Sequence, residues 1–124
     1  MNTKRLYFAT TALGLALGLA ACGGGAGTPA EGQDLTVEAL DSFQFDPSAI
    51  TASVGDTVNV TLDNTGALEH NFVLTEFNVS LGPVPGGQTA NGSFTPDAAG
   101  TYEYFCDVPG HREAGMVGTL TVNP

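Results

Sequence analysis

Residues 101–122 read TYEYFCDVPGHREAGMVGTLTV. Two runs rich in β-branched and aromatic residues, 101–106 and 116–122, flank a segment that turns through Pro109-Gly110, the pattern of two neighbouring strands and their connecting loop. A side-chain period of two puts Tyr102, Tyr104 and Cys106 on one face of the first strand and Thr101, Glu103 and Phe105 on the other. Cys106 therefore ends one strand facing inward, Met116 begins the next, and His111 stands mid-loop. A thiol, an imidazole and a thioether converge at one end of whatever the strands build.

Outward from this stretch the period of two persists from Asp34 onward, and no segment carries the apolar stripe of an amphipathic helix. Residues 35–40 (LTVEAL) predict a first strand, and Phe43, Phe45 and Ile50 surround a turn at Asp46-Pro47. Residues 57–62 (TVNVTL) alternate with Val58, Val60 and Leu62 inward, then stop at the turn signal Asp63-Asn64-Thr65-Gly66. Residues 70–74 open another strand, 82–87 (GPVPGG) predict an irregular connection, and 92–95 a further strand. Seven to eight short strands predict an all-β fold, a two-sheet Greek-key β-sandwich over residues 34–124. No repeat and no second domain are visible, as expected for 124 residues.

The chain begins differently. Lys4 and Arg5 precede a small, apolar run, 6–21 (LYFATTALGLALGLAA), short for a permanent membrane helix and built like an export signal. It ends in Leu19-Ala20-Ala21-Cys22-Gly23, which resembles a bacterial lipobox, so residues 1–21 are expected to be a lipoprotein signal peptide and Cys22 the lipidated residue. An uncleaved anchor and cleavage without lipid are the alternatives. Residues 22–33 would then form the lipidated cysteine and a flexible Gly-rich tether. Its eleven residues after Cys22 have a root-mean-square span of about 18 Å and an extended reach of roughly 35–40 Å. The expected product is an exported, membrane-anchored lipoprotein facing the periplasm or cell exterior of a bacterium.

Removal of the signal changes the inventory. Of two Cys, two Met and two His in the chain, the folded part would keep Cys106, Met116, His70 and His111. A lone cysteine in an exported protein has no disulfide partner, which marks a reactive or metal-bound thiol or else a buried small hydrophobe. Arg112 would be the one Lys or Arg against 13 acidic residues, a net charge of −12. Such a surface repels nucleic acid and anionic headgroups and attracts basic partners.

His70 stands at the start of a strand and supplies a fourth group. Thiolate and thioether are soft and favour Cu(I), imidazole also suits Cu(II), and a His2Cys site with a weak axial Met accommodates both oxidation states. Zinc is the competing ion, but its structural sites recruit Cys, His or carboxylate in place of Met. The predicted ligands are His70, Cys106, His111 and Met116, around one copper ion.

The segments EHNFVL around His70 and GTYEYFCDVPGHREAGMVGTLTV resemble the cupredoxins, the type 1 blue copper family of plastocyanin and azurin. The Cys-x4-His-x4-Met loop is most similar to that of auracyanin-like proteins. Residue by residue, the resemblance implies the same four copper ligands. It also implies that Asn71 ties the two ligand loops beside the thiolate, and that Tyr102 closes a corner of the sandwich.

Both histidines being committed, none remains for a second copper, as multicopper oxidases and nitrite reductases need, or for a serine-type triad. A single folded cysteine cannot build a binuclear copper centre. The expectation is therefore a carrier of single electrons, not an enzyme. The alternatives are a copper-handling or storage protein and a metal-free adhesive sandwich. His111 would reach the surface amid Val108, Pro109, Gly110, Ala114 and Gly115, a small apolar patch for brief docking. The expected partners are redox proteins of a respiratory or photosynthetic chain, met by a monomer. Phe105 beside the cysteine marks either a second electron route or ordinary packing.

Overall fold

The computed structural model describes residues 32–124; the expected signal peptide, Cys22 and most of the tether lie outside the described residues. Nine strands follow in order: β1 (Gln33–Leu40), β2 (Gln44–Asp46), β3 (Ala49–Ser53), β4 (Val58–Asn64), β5 (His70–Leu74), β6 (Val79–Val84), β7 (Thr89–Phe94), β8 (Gly100–Phe105) and β9 (Val117–Asn123). One 3-10 turn, Thr75–Phe77, links β5 to β6. The sheets have strand orders β2-β1-β4-β7 and β3-β9-β8-β5-β6. Both are mixed: β1 runs parallel to β4 and β3 parallel to β9, while the remaining pairs are antiparallel.

The expected β-sandwich is present, and alternation explains its core. Val58, Val60 and Leu62 of β4 are fully or almost fully buried, as are Val37 and Ala39 beside them. Leu120 and Val122 of β9 face them from the other sheet with Phe72 and Tyr104. Phe45, Phe72 and Tyr104 pack together with ring centroids 4.9–6.0 Å apart. The Tyr104 hydroxyl escapes an unsatisfied burial by donating to the Pro47 carbonyl at 2.8 Å. Burial pushes its pKa up to about 12.

Three boundaries differ from expectation. β1 starts at Gln33, whose backbone N–H donates to the Thr57 carbonyl (2.8 Å) and whose side chain donates to the Thr51 carbonyl (2.8 Å). β7 begins at Thr89, where Asp63 is its partner. The larger difference is β6, which occupies Val79–Val84 where GPVPGG predicted an irregular connection from Gly82 on. Proline is tolerated there because β6 is the edge of its sheet. Between the pairs His70↔Val84 and Phe72↔Leu81 the register shifts by one residue, a bulge in β6. Gly82 makes the bulge possible. Its φ is +105°, and a Cβ there would lie 2.8 Å from Val84 N and 3.1 Å from His70 O.

The bulge lies directly against the start of β5, at His70 and Asn71. His70, Asn71 and Phe72 are all buried in succession. Asn71 is covered by the Asp107 segment, to which its side chain bonds.

Candidate metal centre

Strand ends bring the predicted ligands together at one end of the sandwich. Cys106 follows the last residue of β8, and its N–H donates to the Met116 carbonyl (3.1 Å), just before β9 begins. Between them the loop winds into tight turns: His111 N–H donates to Val108 O (3.0 Å), Ala114 N–H to His111 O (3.1 Å) and Met116 N–H to His111 O (3.0 Å). These bonds fix His111 relative to both strand ends. Cys106, Met116 and His70 are fully buried, whereas His111 is half-buried.

The ligand atoms of His70, Cys106 and His111 lie within 4.8 Å of one another. His70 Nδ1 is 3.1 Å from His111 Nδ1, which in turn is 3.4 Å from Cys106 Sγ. Three potential ligand atoms thus cluster within reach of one ion. Metal–imidazole bonds of about 2 Å put neighbouring ligand nitrogens about 3 Å apart, so the spacing fits a single ion. Ligation through Nδ1 would leave the proton of His70 on Nε2. That atom is buried without a hydrogen-bond partner; Asp41 Oδ1 lies 3.5 Å away, near enough for attraction.

Asn71 ties the two ligand segments in three ways. Its backbone N–H points at Cys106 Sγ (3.4 Å), its Oδ1 accepts from Asp107 N–H (2.8 Å), and its Nδ2 donates to the Asp107 carboxylate. Beneath them Asn64, also fully buried, donates from Nδ2 to the Leu68 and Val84 carbonyls (2.7 and 2.8 Å), securing the turn that leads into His70.

Electrostatics follow from burial. Desolvation pushes the Cys106 thiol up from its ordinary 9.0, against the opposing N–H groups of Asn71 and Val108. Burial also pushes His70 down from 6.5, with Asp41 opposing. The N–H groups of Ala67 and Leu68 hold the Asp41 carboxyl below the ordinary 3.8. Cys106 therefore carries a proton until a metal displaces it.

Around His111, Pro109, Gly110, Ala114 and Gly115 are exposed, and Val108 is half-buried against the core. Sequence reasoning missed three neighbours. Phe43, at φ +57°, sets its ring edge-to-face on His111 (centroids 4.9 Å), Leu68 is 45% exposed in the turn before β5, and Asp41 faces His70. Locally, Asp41 and Phe43 read as turn and core residues; only the pairing of β1 with β4 brings them here. Arg112 lies over the Phe105 ring at 3.9 Å and pairs with Glu103, so Phe105 is covered by the loop's own side chain. At the far end Tyr102 Oη donates to the Ala98 carbonyl (3.0 Å), the corner that the resemblance implied.

Known proteins agree with this geometry. Residues 10–122 match the family model of the cupredoxin-like domain. The chain is 31% identical to auracyanin-A of Chloroflexus aurantiacus over 98% of both chains. It is also 35% identical to the copper-resistant cuproprotein CopI of Rubrivivax gelatinosus, over 66% of this chain and 61% of that one. The solved structure of the Chloroflexus auracyanin A, a "blue" copper protein, superposes with a TM-score of 0.65 at 27% identity, over 74% of this chain and 99% of that one. With a donor set that suits both copper oxidation states, and a sandwich that presents it ready-formed, the chain belongs to the cupredoxin-like family and its cofactor is one copper ion.

Proposed function

We propose that this protein is a membrane-tethered carrier of single electrons that cycles one copper ion between Cu(I) and Cu(II). His70, Cys106 and His111 are the strong ligands and Met116 the weak axial one. The observation that carries the reading is the convergence of His70 Nδ1, His111 Nδ1 and Cys106 Sγ in a buried pocket whose walls are already tied by Asn71 and the loop turns. Ligands held this firmly change little between oxidation states, which favours rapid electron exchange. Copper supplies the redox chemistry; the chain orients the ligands and excludes water.

His111 is the exit. Half-buried among Pro109, Gly110, Ala114 and Gly115, it would meet redox proteins of a respiratory or photosynthetic chain in short-lived complexes, the protein itself being a monomer and not an enzyme. Cys22 would hold it to the membrane on the periplasmic or outer face. Mass spectrometry should find acyl chains on the wild-type protein and none on Cys22→Ala, which should also leave the membrane fraction.

Similarity to CopI favours a second reading, in which the domain handles or stores copper. One experiment separates them. A carrier loaded with copper should be intensely coloured, bleach with reductant, recover with oxidant over many cycles, and release copper slowly to a chelator. Fast release to the chelator, with colour lost in the first cycles, would favour metal handling. A wild-type protein that takes up no copper would overturn both.

A further inference from the structure

We propose that Asp41 is a positioning residue of the copper site, whose carboxylate holds the turn before β5 and faces the outer nitrogen of His70, fixing that ligand's orientation and favouring Cu(II) over Cu(I). The inference rests on the copper reading above and adds a residue from a different part of the chain.

His70 Nε2 is the one buried side-chain nitrogen or oxygen without a hydrogen-bond partner among the described residues. A ligand histidine bound through Nδ1 carries its proton on Nε2 and ordinarily gives it to a carboxylate, carbonyl or water that sets the ring orientation. Asp41 Oδ1, 3.5 Å away, stands where that acceptor belongs. The carboxylate is itself anchored. Ala67 N–H donates to both its oxygens (3.0 and 2.9 Å) and Leu68 N–H to Oδ1 (3.0 Å).

Gly66 shows that room is kept for the group. A Cβ at that position would overlap Asp41 Oδ1 and lie 3.2 Å from Asp41 N. The end of β1, the turn after β4 and the start of β5 are thereby joined at one carboxylate. Its negative charge behind a ligand stabilises the more positive copper state.

The test compares copper-loaded wild type with Asp41→Asn, Gly66→Ala and a control, Asp34→Asn. Asparagine keeps an oxygen for the Ala67 and Leu68 N–H groups and removes the charge. Gly66→Ala keeps the charge and displaces it. Asp34 lies at the opposite end of β1, about 23 Å from Asp41 along the strand. Spectroelectrochemistry should show Asp41→Asn shifting the Cu(II)/Cu(I) affinity ratio about tenfold toward Cu(I), at the low end of what outer partners of metal ligands command. For a one-electron couple that is a rise of about 59 mV. Gly66→Ala should move the same way and Asp34→Asn much less. NMR of the Cu(I) form should show the His70 Nε2–H exchanging faster with solvent in both site variants.

If Asp41→Asn lowers thermal stability yet matches the Asp34→Asn potential, with His70 Nε2–H exchange unchanged, Asp41 is only a loop tie and the proposal is overturned. Should the wild type be blue and redox-active in that case, the copper reading survives it. A wild type without copper would sink both.

Discussion

The two ends of the sandwich solve closure in opposite ways. At the far end Phe77 stacks on Phe94 (5.3 Å) and meets Tyr102 edge-on (4.8 Å), while the Tyr102 hydroxyl is satisfied by Ala98. At the ligand end two imidazole nitrogens and a sulfur face one another, and His70 Nε2 has no hydrogen-bond partner. One end is complete as protein. At the other, two imidazole nitrogens and a sulfur stand close enough to share one ion. The contrast locates stability at one end and function at the other, and substitutions can test that separation.

The largest effect should come from Cys106→Ala against Phe94→Ala. The first should abolish the visible colour of the copper-loaded protein entirely. The second removes a nearly buried ring at the far end and should cost about 3–5 kcal/mol in denaturant unfolding while the colour persists in the folded fraction. Colour surviving in Cys106→Ala would remove the thiolate from the site.

Next, Asn71→Ala should weaken copper binding about 10–100-fold in competition titrations, since it loses its side-chain bonds to Asp107. Tyr102→Phe, which loses a single exposed hydrogen bond, should cost about 1 kcal/mol and leave copper affinity unchanged. A Tyr102→Phe variant with altered affinity would show that the ends are coupled.

Met116 sharpens the comparison within the site. Voltammetry should place Met116→Leu above wild type in potential and Met116→Gln below it, both still binding copper. Equal potentials would argue against an axial thioether.

The smallest effect is the pH profile of the copper-free protein. His70 is held below its ordinary 6.5, so as pH falls below 6.5 the unfolded chain binds a proton that the folded one refuses, and stability declines. Cys106 is held above its ordinary 9.0, so as pH rises past 9.0 the unfolded thiol ionises first and stability declines again. Denaturation midpoints should therefore plateau between these values. Copper loading should release a proton from Cys106, and a titration at neutral pH in which none appears would contradict a thiol held protonated by burial.

Much of this was legible in the chain. Alternation in TVNVTL named the buried face of β4, and the spacing of Cys106, His111 and Met116 across a Pro-Gly turn placed three ligands at one strand end. Asn71 was legible through family resemblance alone. β6 was not, because GPVPGG carries the composition of a loop and becomes a strand only through pairing with β5 at a sheet edge. Nor were Asp41 and Phe43, whose local setting is an ordinary turn.

What the sequence determined by itself is the chemistry: one thiol, two imidazoles and one thioether in an order that local strand and turn preferences bring close. What tertiary structure alone decided is the surroundings of that chemistry. The parallel pairing of β1 with β4 carries Asp41 to His70, and the bonds to Asp107 bury Asn71 beside the Cys106 sulfur. Period and composition are local quantities, whereas a carboxylate behind a ligand depends on which strands become neighbours, and only packing of the whole core settles that.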